Sequence, residues 1–404
     1  MIRVPNSAPI TQIRHEATRI SMSISYNPNY PSIEDLRARA RKRITRFAFE
    51  YLDGGCNEDV NLVKNTAELR EVELKPYYLR THAEVDMKTE LFGQVYDAPF
   101  GVAPIGLQGL IWPNAPEILA AAAKKHNIPF VLSTVSTSSI ERIGQLTEGK
   151  FWFQLYHPAD YTLRDDMLDR AEAVGCQVLV ILCDVPTFGY RPRDIRNGLA
   201  MPPKMTLRNI LQIMGKPNWA IQTLVHGQPN FATMKKYMTR DLNLKQLGQF
   251  MNQTFSGRLN EEKIAPIRER WKGKIVLKGV ASEEDTAMAI RIGLDGIIVS
   301  NHGGRQLDAG QSSIHALAPI VQKYAGQIKI MLDSGLRSGP DIARALASGA
   351  EFAFLGRSFM YGVAALGKAG GNHTISILKT QLKQVMDQVC CPSIGDFPKH
   401  LVDV

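Results

Sequence analysis

The sequence predicts an α/β fold, a (β/α)8 TIM barrel in which eight parallel strands alternate with helices. Three observations carry this. Short apolar runs recur eight times, at 98–104, 129–134, 151–156, 177–184, 274–279, 295–301, 328–334 and 351–357. They are apolar throughout rather than alternating, as strands covered on both faces must be. Between most of them lie helical patterns such as "APEILAAAAKKHN", "DDMLDRAEAVG", "SEEDTAMAIRIG" and "SGPDIARALASGA", which open on a polar or proline-bearing cap and close at glycine or asparagine.

Taken in order, residues 1–31 hold no apolar core of signal-peptide length and read as a mobile or surface-draped arm. Residues 32–404 read as a single barrel domain. It begins with "SIEDLRARARKRITRFAFEYLDGG", where Ser32 with Asp35 three residues on makes a helix cap and apolar spacing runs to a glycine stop. The alternation in "VDMKTELFGQVY" predicts a short hairpin or lid across one end of the fold. One interval breaks the rhythm after strand four. About ninety residues separate the fourth and fifth runs, which places a long insert at about 197–260. It mixes Trp219, Ile210, Leu211, Ile213, Met214, Ile221 and Leu224 with basic residues. That composition suits contact with a bilayer or a partner subunit, and equally a loop that folds back over its own barrel.

A 404-residue chain that is 44% hydrophobic can bury a large core. Lys and Arg number 48 against 39 Asp and Glu, for a formal charge of +9. The basic residues are scattered, which argues against nucleic acid and fits an anionic lipid or substrate. Cys56, Cys176, Cys183, Cys390 and Cys391 are odd in number and show no CxxC spacing. A reducing compartment is expected, with no disulfide framework and no metal site. No run reaches about 18 apolar residues, so no membrane span is expected. The expected location is the cytoplasm, extended by peripheral contact with the inner face of the cell membrane if the insert docks there.

Catalytic groups of such barrels follow the C-terminal ends of strands. Here those ends carry Pro104 with Gly106, Ser133, Gln154 with Tyr156, Asp184, Lys278, His302 with Arg305, Asp333 with Arg337, and Gly356 with Arg357. So many converging charges are costly unless they meet a partner. "LDSGLRSGPD" and "FLGRS" offer backbone N–H groups freed by Gly335 and Gly356 and the guanidinium forks of Arg337 and Arg357, a phosphate nest at strands seven and eight. A glycine turn with a surface arginine is the competing reading. Lys278 suits either a Schiff-base nucleophile or a fixed cation beside the pyrimidine end of a flavin. Ser133 and Gln154 suit that ring's polar edge, or are ordinary strand caps. His302 suits a general base, and Arg305 a carboxylate clamp. Arg191 in "GYRPRD" with the hydroxyls of Tyr51 and Tyr156 would complete the clamp, while Asp184 would orient His302.

Together "SNHGGRQLD", "KGV", "FQLY", "LDSGLR" and "LGR" resemble the FMN-dependent L-2-hydroxy acid oxidoreductases, the group that contains glycolate oxidase, flavin-type lactate dehydrogenases and mandelate dehydrogenase. The likeness runs from about Ser32 onward. It implies FMN in the barrel, a homotetramer, and oxidation of a 2-hydroxy acid to the 2-oxo acid. Carried over by position, Tyr51, Tyr156, Arg191 and Arg305 bind substrate, and His302 with Asp184 forms the base pair. Lys278, Ser133, Gln154, Arg337, Gly356 and Arg357 contact FMN, alongside the backbone of 104–109 with Pro104, Ile105 and Gly106.

Two residues depart from the family pattern. Leu182 and Ile105 stand where threonine is usual, which removes two hydroxyls near the flavin. Val135 replaces the tryptophan of glycolate oxidases, which favours a substrate larger than glycolate. The segment "KPNWAIQTLVHGQPNF" is similar to the membrane segment of bacterial mandelate and lactate dehydrogenases, and Gly106 is also of their type. A quinone or other carrier is then the expected acceptor. The alternatives are an oxidase reducing O2 to H2O2, a peptide-modifying flavoenzyme, and a barrel that binds a phosphate ligand without catalysis.

Overall fold

The computed structural model describes residues 26–80, 84–199, 205–227, 229–238, 254–255 and 258–402. All eight apolar runs form strands: β3 (Phe100–Val102), β4 (Val131–Ser133), β5 (Trp152–Leu155), β6 (Val178–Leu182), β7 (Lys274–Val280), β8 (Gly296–Val299), β9 (Lys329–Leu332) and β10 (Phe352–Leu355). They pair in parallel in the order β3-β10-β9-β8-β7-β6-β5-β4. The ring closes where Val102 N–H donates to the Pro129 carbonyl at 2.9 Å, next to a parallel bridge between Val102 and Phe130. Eight right-twisted parallel strands with helices outside is the barrel the sequence predicts.

Strand side chains divide by parity. Val131, Trp152, Val178, Val180, Val276, Ile298, Met331, Phe352 and Phe354 fill the lumen. Leu132, Phe153, Leu179, Ile181, Ile297 and Ala353 instead join the larger core shared with the helices. The expected hairpin is present as β1 (Thr89–Leu91) and β2 (Gln94–Tyr96), turned through Phe92 and Gly93, both left-handed at φ 55° and 78°. Phe92 packs on Trp152 and Tyr96 on Phe352, residues at the starts of β5 and β10. The hairpin therefore plugs the N-terminal mouth and leaves the C-terminal mouth to the site.

The N-terminal segment differs from the single helix expected. It is two helices, Ile33–Arg43 and Arg46–Asp53, broken where Thr45 accepts a hydrogen bond from Ala48 N–H and starts a new cap. The break buries Ile44 and Phe47 and aims Tyr51 at the barrel mouth. The Ser32–Asp35 capping box forms as expected. Of the expected arm, residues 1–25 lie outside the described residues. Residues 26–31 are pinned by His373, which receives Asn27 N–H at Nδ1 and donates from Nε2 to the Tyr30 carbonyl at 2.9 Å.

The insert divides between the two readings of its composition. Helices Leu207–Met214 and Pro217–His226 attach through Trp219, which is buried against Phe47 and donates to the Ile111 carbonyl at 3.0 Å. Burying that indole contributes about 2–3 kcal/mol. Leu207, Ile210, Leu211, Met214, Ile221, Leu224 and Val225 are exposed, and Ile213 is half-buried. Beyond them Phe231, Thr233 and Met234 return into the core. Residues 200–204, 228, 239–253 and 256–257 of the insert lie outside the described residues.

Candidate active site

A cavity of about 480 Å3 opens at the C-terminal mouth, a volume within the usual range for a small-molecule cofactor site. Its wall gathers Tyr51, Pro104, Ile105, Gly106, Tyr156, Arg191, Lys278, His302, Arg305, Asp333, Gly335, Arg337, Gly356 and Arg357. Fourteen of the residues singled out in the sequence thus meet on one surface. Asp184 stands behind His302. Ser133 and Gln154 are buried but are not part of the wall.

The loop after β8 holds His302 in a left-handed conformation, φ 59°, which a β-carbon-bearing residue adopts only under constraint. The constraint is visible. His302 N–H and the Lys278 ammonium both donate to Ser300 Oγ, at 3.1 and 2.9 Å. Ser334 Oγ accepts from Gly303 N–H at 2.9 Å and donates to Asp333 at 2.8 Å. Asn301 locks the loop to Asn61 and Asn65 through its amide, at 2.7 and 2.6 Å.

His302 Nδ1 lies 3.0 Å from Asp184 Oδ1. The carboxylate fixes the tautomer with hydrogen on Nδ1, so Nε2 presents a lone pair to the cavity. Burial lowers the imidazole's pKa, and the Lys278 and Arg191 charges add to this against the opposing pull of Asp184. The ring is therefore neutral and basic near pH 7. Asp184 is largely enclosed, its side chain about one-tenth exposed. Burial opposes its ionisation, but His302 and Lys278 outweigh it and hold the carboxyl below its ordinary value. Gly279, at φ 101° in the bulge of β7, makes this packing feasible, because a Cβ there would stand 2.6 Å from Asp184 Cγ.

Lys278 is buried and pairs with Asp333 at 3.0 Å. Burial alone would lower its pKa, yet Asp333 and Asp184 raise it, so the ammonium stays charged. Three elements bring the arginines together. Arg305 donates to the carbonyls of Tyr51 and Gly54 at 2.7 and 2.8 Å and lies over the Tyr51 ring. Arg191 keeps a buried Nε–H with no protein partner among the described residues. Burial and the neighbouring Arg191 lower the Arg305 pKa to about 10, against the opposing pull of Tyr51 and Asp194. Tyr156 is half-buried, and its desolvation, with Asp184 nearby, raises its pKa and keeps the phenol protonated.

Arg357 is not the free fork expected from the sequence. Its Nε, Nη1 and Nη2 donate to the carbonyls of Leu52, Gly303 and Gly54 at 3.0, 2.9 and 2.8 Å. Arg337 spends one donor on the Leu336 carbonyl at 2.9 Å. Beside it Ser334 and Gly335 turn through φ 75° and 87°, and Gly335 cannot carry a side chain, since its Cβ would stand 2.5 Å from the Asn65 carbonyl.

Among the wall residues that the sequence did not single out are Asp194, Gln306 and Phe231. Asp194, three residues beyond Arg191, is buried 3.8 Å from Arg191 and 4.0 Å from Arg305. Gln306 lies inside the quoted "NHGGRQLD". Phe231 comes from the insert and carries no local signal.

The pattern of the FMN-dependent dehydrogenases matches residues 40–404. The chain belongs to this family. Among FMN-dependent dehydrogenases it is 38% identical over 375 residues to the L-lactate dehydrogenase of Haemophilus influenzae, covering 92% of this chain and 98% of that one. With the L-lactate dehydrogenase of Ectopseudomonas mendocina it shares 37% over 369 residues, 91% and 97% of the two chains. A solved monotopic membrane protein, (S)-mandelate dehydrogenase, superposes with a TM-score of 0.88 at 34% identity, covering 93% of this chain and all of that one. Mandelate oxidase gives a TM-score of 0.79 at 31% identity, over 92% and 98%.

The family is FMN-dependent, and the cavity suits that group: apolar Ala103, Ile105 and Phe354 for a flat ring, the Lys278 ammonium for its polar edge, and the Gly335 turn with Arg337 for a phosphate. This FMN-dependent dehydrogenase is an oxidoreductase of 2-hydroxy acids, of the lactate and mandelate type.

Proposed function

We propose that this enzyme oxidises an L-2-hydroxy acid larger than glycolate, mandelate-like or lactate-like, and passes the electrons to quinone or another carrier at a membrane surface. The carrying observation is the cavity wall, where His302 with Asp184 at 3.0 Å shares one space with Arg191, Arg305, Tyr51 and Tyr156. Arg191 and Arg305 bind the substrate carboxylate, and the two tyrosine hydroxyls align its 2-oxygen. His302 Nε2 takes the proton that the substrate gives up, and Asp184 stabilises the resulting imidazolium. FMN, when bound, would accept the two electrons together with the second proton. Lys278 holds positive charge where reduction places negative charge on it. Gly335, Arg337 and Gly356 would hold its phosphate, Arg357 would support that end by charge, and Ser133 and Gln154, buried behind the wall, would back the ring.

Substrate size is read from Leu107, Ile111, Val135 and Phe231, which give the cavity apolar wall beyond the clamp. Membrane contact is supported by the exposed apolar faces of helices Leu207–Met214 and Pro217–His226. No described helix is long and apolar enough to cross a membrane, so contact of this kind is peripheral. Homotetramer assembly is part of the same proposal and is checked by sedimentation.

The test is an anaerobic screen of 2-hydroxy acids by flavin bleaching. Bleaching by lactate or mandelate but not glycolate supports the reading, and no bleaching by any acid overturns it. Mixing the reduced enzyme with oxygen then separates a slow-reacting dehydrogenase from an oxidase.

A further inference from the structure

The side chain of Gln306 uses both ends of its amide across a single loop. Its Oε1 accepts from Gly189 N–H and from Arg191 Nη2, each at 3.3 Å. Its Nε2 donates to the carbonyls of Asp184 and Thr187, at 3.2 and 3.0 Å. The four partners span 184–191, the chain that leads from the histidine's carboxylate partner to the clamp arginine. Gly189 packs so closely on this loop that a Cβ would lie 2.2 Å from the Arg305 carbonyl. The two strand ends are thus joined by one neutral side chain.

The chemistry requires an amide. Only Asn and Gln carry an acceptor and two donors on one planar group, and only Gln has the reach used here. A carboxylate could not donate to Asp184 and Thr187, and would pair with Arg191 itself. Arg191 already stands 3.8 Å from the buried Asp194, and a second carboxylate in contact with it would spend the remaining charge that a substrate carboxylate needs. A neutral acceptor holds Nη2 at low cost, which leaves Arg191 Nε–H, buried and unpartnered among the described residues, directed at a ligand.

We infer that Gln306 is a positioning and specificity residue: it holds Arg191 in a ligand-ready pose without neutralising it, and ties that pose to the segment carrying Asp184. The inference rests on the reading of Arg191 as a carboxylate ligand.

The probe is oxalate, a non-reacting dicarboxylate, titrated into the FMN-loaded full-length enzyme and followed by the flavin spectrum. Gln306→Glu is expected to weaken oxalate at least about tenfold and to raise KM for the 2-hydroxy acid in the same proportion, more than it lowers kcat. Gln306→Met, near in shape and uncharged, is expected to weaken oxalate less than Gln306→Glu does. FMN content, read as the yellow absorbance per chain, checks that both variants fold. If Gln306→Glu binds oxalate within twofold of the parent while Arg191→Met binds it poorly, the Gln306 inference fails and the clamp stands. If Arg191→Met also binds oxalate normally, both fail. A Gln306→Met variant weakened as much as Gln306→Glu would overturn the charge argument.

Discussion

Arg305 and Arg357 donate to the same atom, the carbonyl oxygen of Gly54, each at 2.8 Å. One backbone dipole between two buried cations offsets part of their repulsion and holds both guanidinium planes. It also joins the segment that bears Tyr51 to the loop that bears His302, because Arg357 reaches the Gly303 carbonyl as well. Arg357 pays for this with its donors: burial and nearby Arg337 lower its pKa to about 9.

Gly303 is the weak point of that bracket. It sits at φ 67°, and a Cβ would stand 2.5 Å from Arg357 Nη1. Gly303→Ala adds left-handed strain of about 1–2 kcal/mol and displaces the guanidinium. The expected outcome is a kcat/KM lower by at least about tenfold with FMN still bound, measured by steady-state kinetics and flavin content.

The pH profile of kcat/KM reports the His302–Asp184 pair. In the proposed mechanism the neutral ring is the base, and its pKa is lowered, so activity should fall only as pH drops below the ordinary imidazole range near 6.5. Asp184 raises that pKa, so Asp184→Asn should move the acidic limb lower still. It should also cut kcat by on the order of a thousandfold through loss of tautomer control. A limb above the ordinary range in the parent enzyme would contradict this.

Val135 sets the depth of the apolar wall, and Gly106 lies against it: a Cβ on Gly106 would meet Val135 Cγ2 at 2.8 Å. Val135→Trp should fill this space. Turnover of mandelate is expected to fall roughly a hundredfold relative to lactate, read as the ratio of kcat/KM values.

Lys278 and Asp333 form a buried pair, so removing one charge strands the other. Lys278→Met is expected to lower stability by about 3–5 kcal/mol in thermal or denaturant unfolding. Where the variant still binds FMN, its midpoint potential should be more negative than the parent's, since the reduced ring loses its cation.

The exposed faces of the two insert helices can be tested without disturbing the barrel. The double change Leu211→Glu with Leu224→Glu should lower membrane co-sedimentation at least about tenfold, leaving flavin bleaching by substrate intact.

The barrel was legible because buried parallel strands are apolar throughout and several of the helices between them carry side-chain caps, as with Ser139, Asp160, Ser282, Ser312 and Ser338. The strand-end charges were legible for the same reason, since little else explains Lys278 or His302 at the end of a buried run. The break at Thr45 was not, because "RKRITRF" keeps helical spacing across it and only tertiary burial of Ile44 decides the bend. Nor could spacing show that Arg357 turns to three carbonyls, because a side-chain fork carries no record of which acceptors the fold will bring to it. Phe231 reaches the cavity from far along the insert, a contact that no local pattern encodes.

The excursion after β6 goes out as two greasy helices and comes back through Phe231 to supply part of the cavity wall. Trimming 205–227 would remove the outward faces together with the Trp219 contact to Phe47 and Ile111, whereas a cut carried through 231 would also take Phe231 out of the cavity wall. Under the proposed function, membrane contact and substrate choice would be carried by adjacent stretches of one ribbon, and an exchange of the whole ribbon between relatives should carry both traits together.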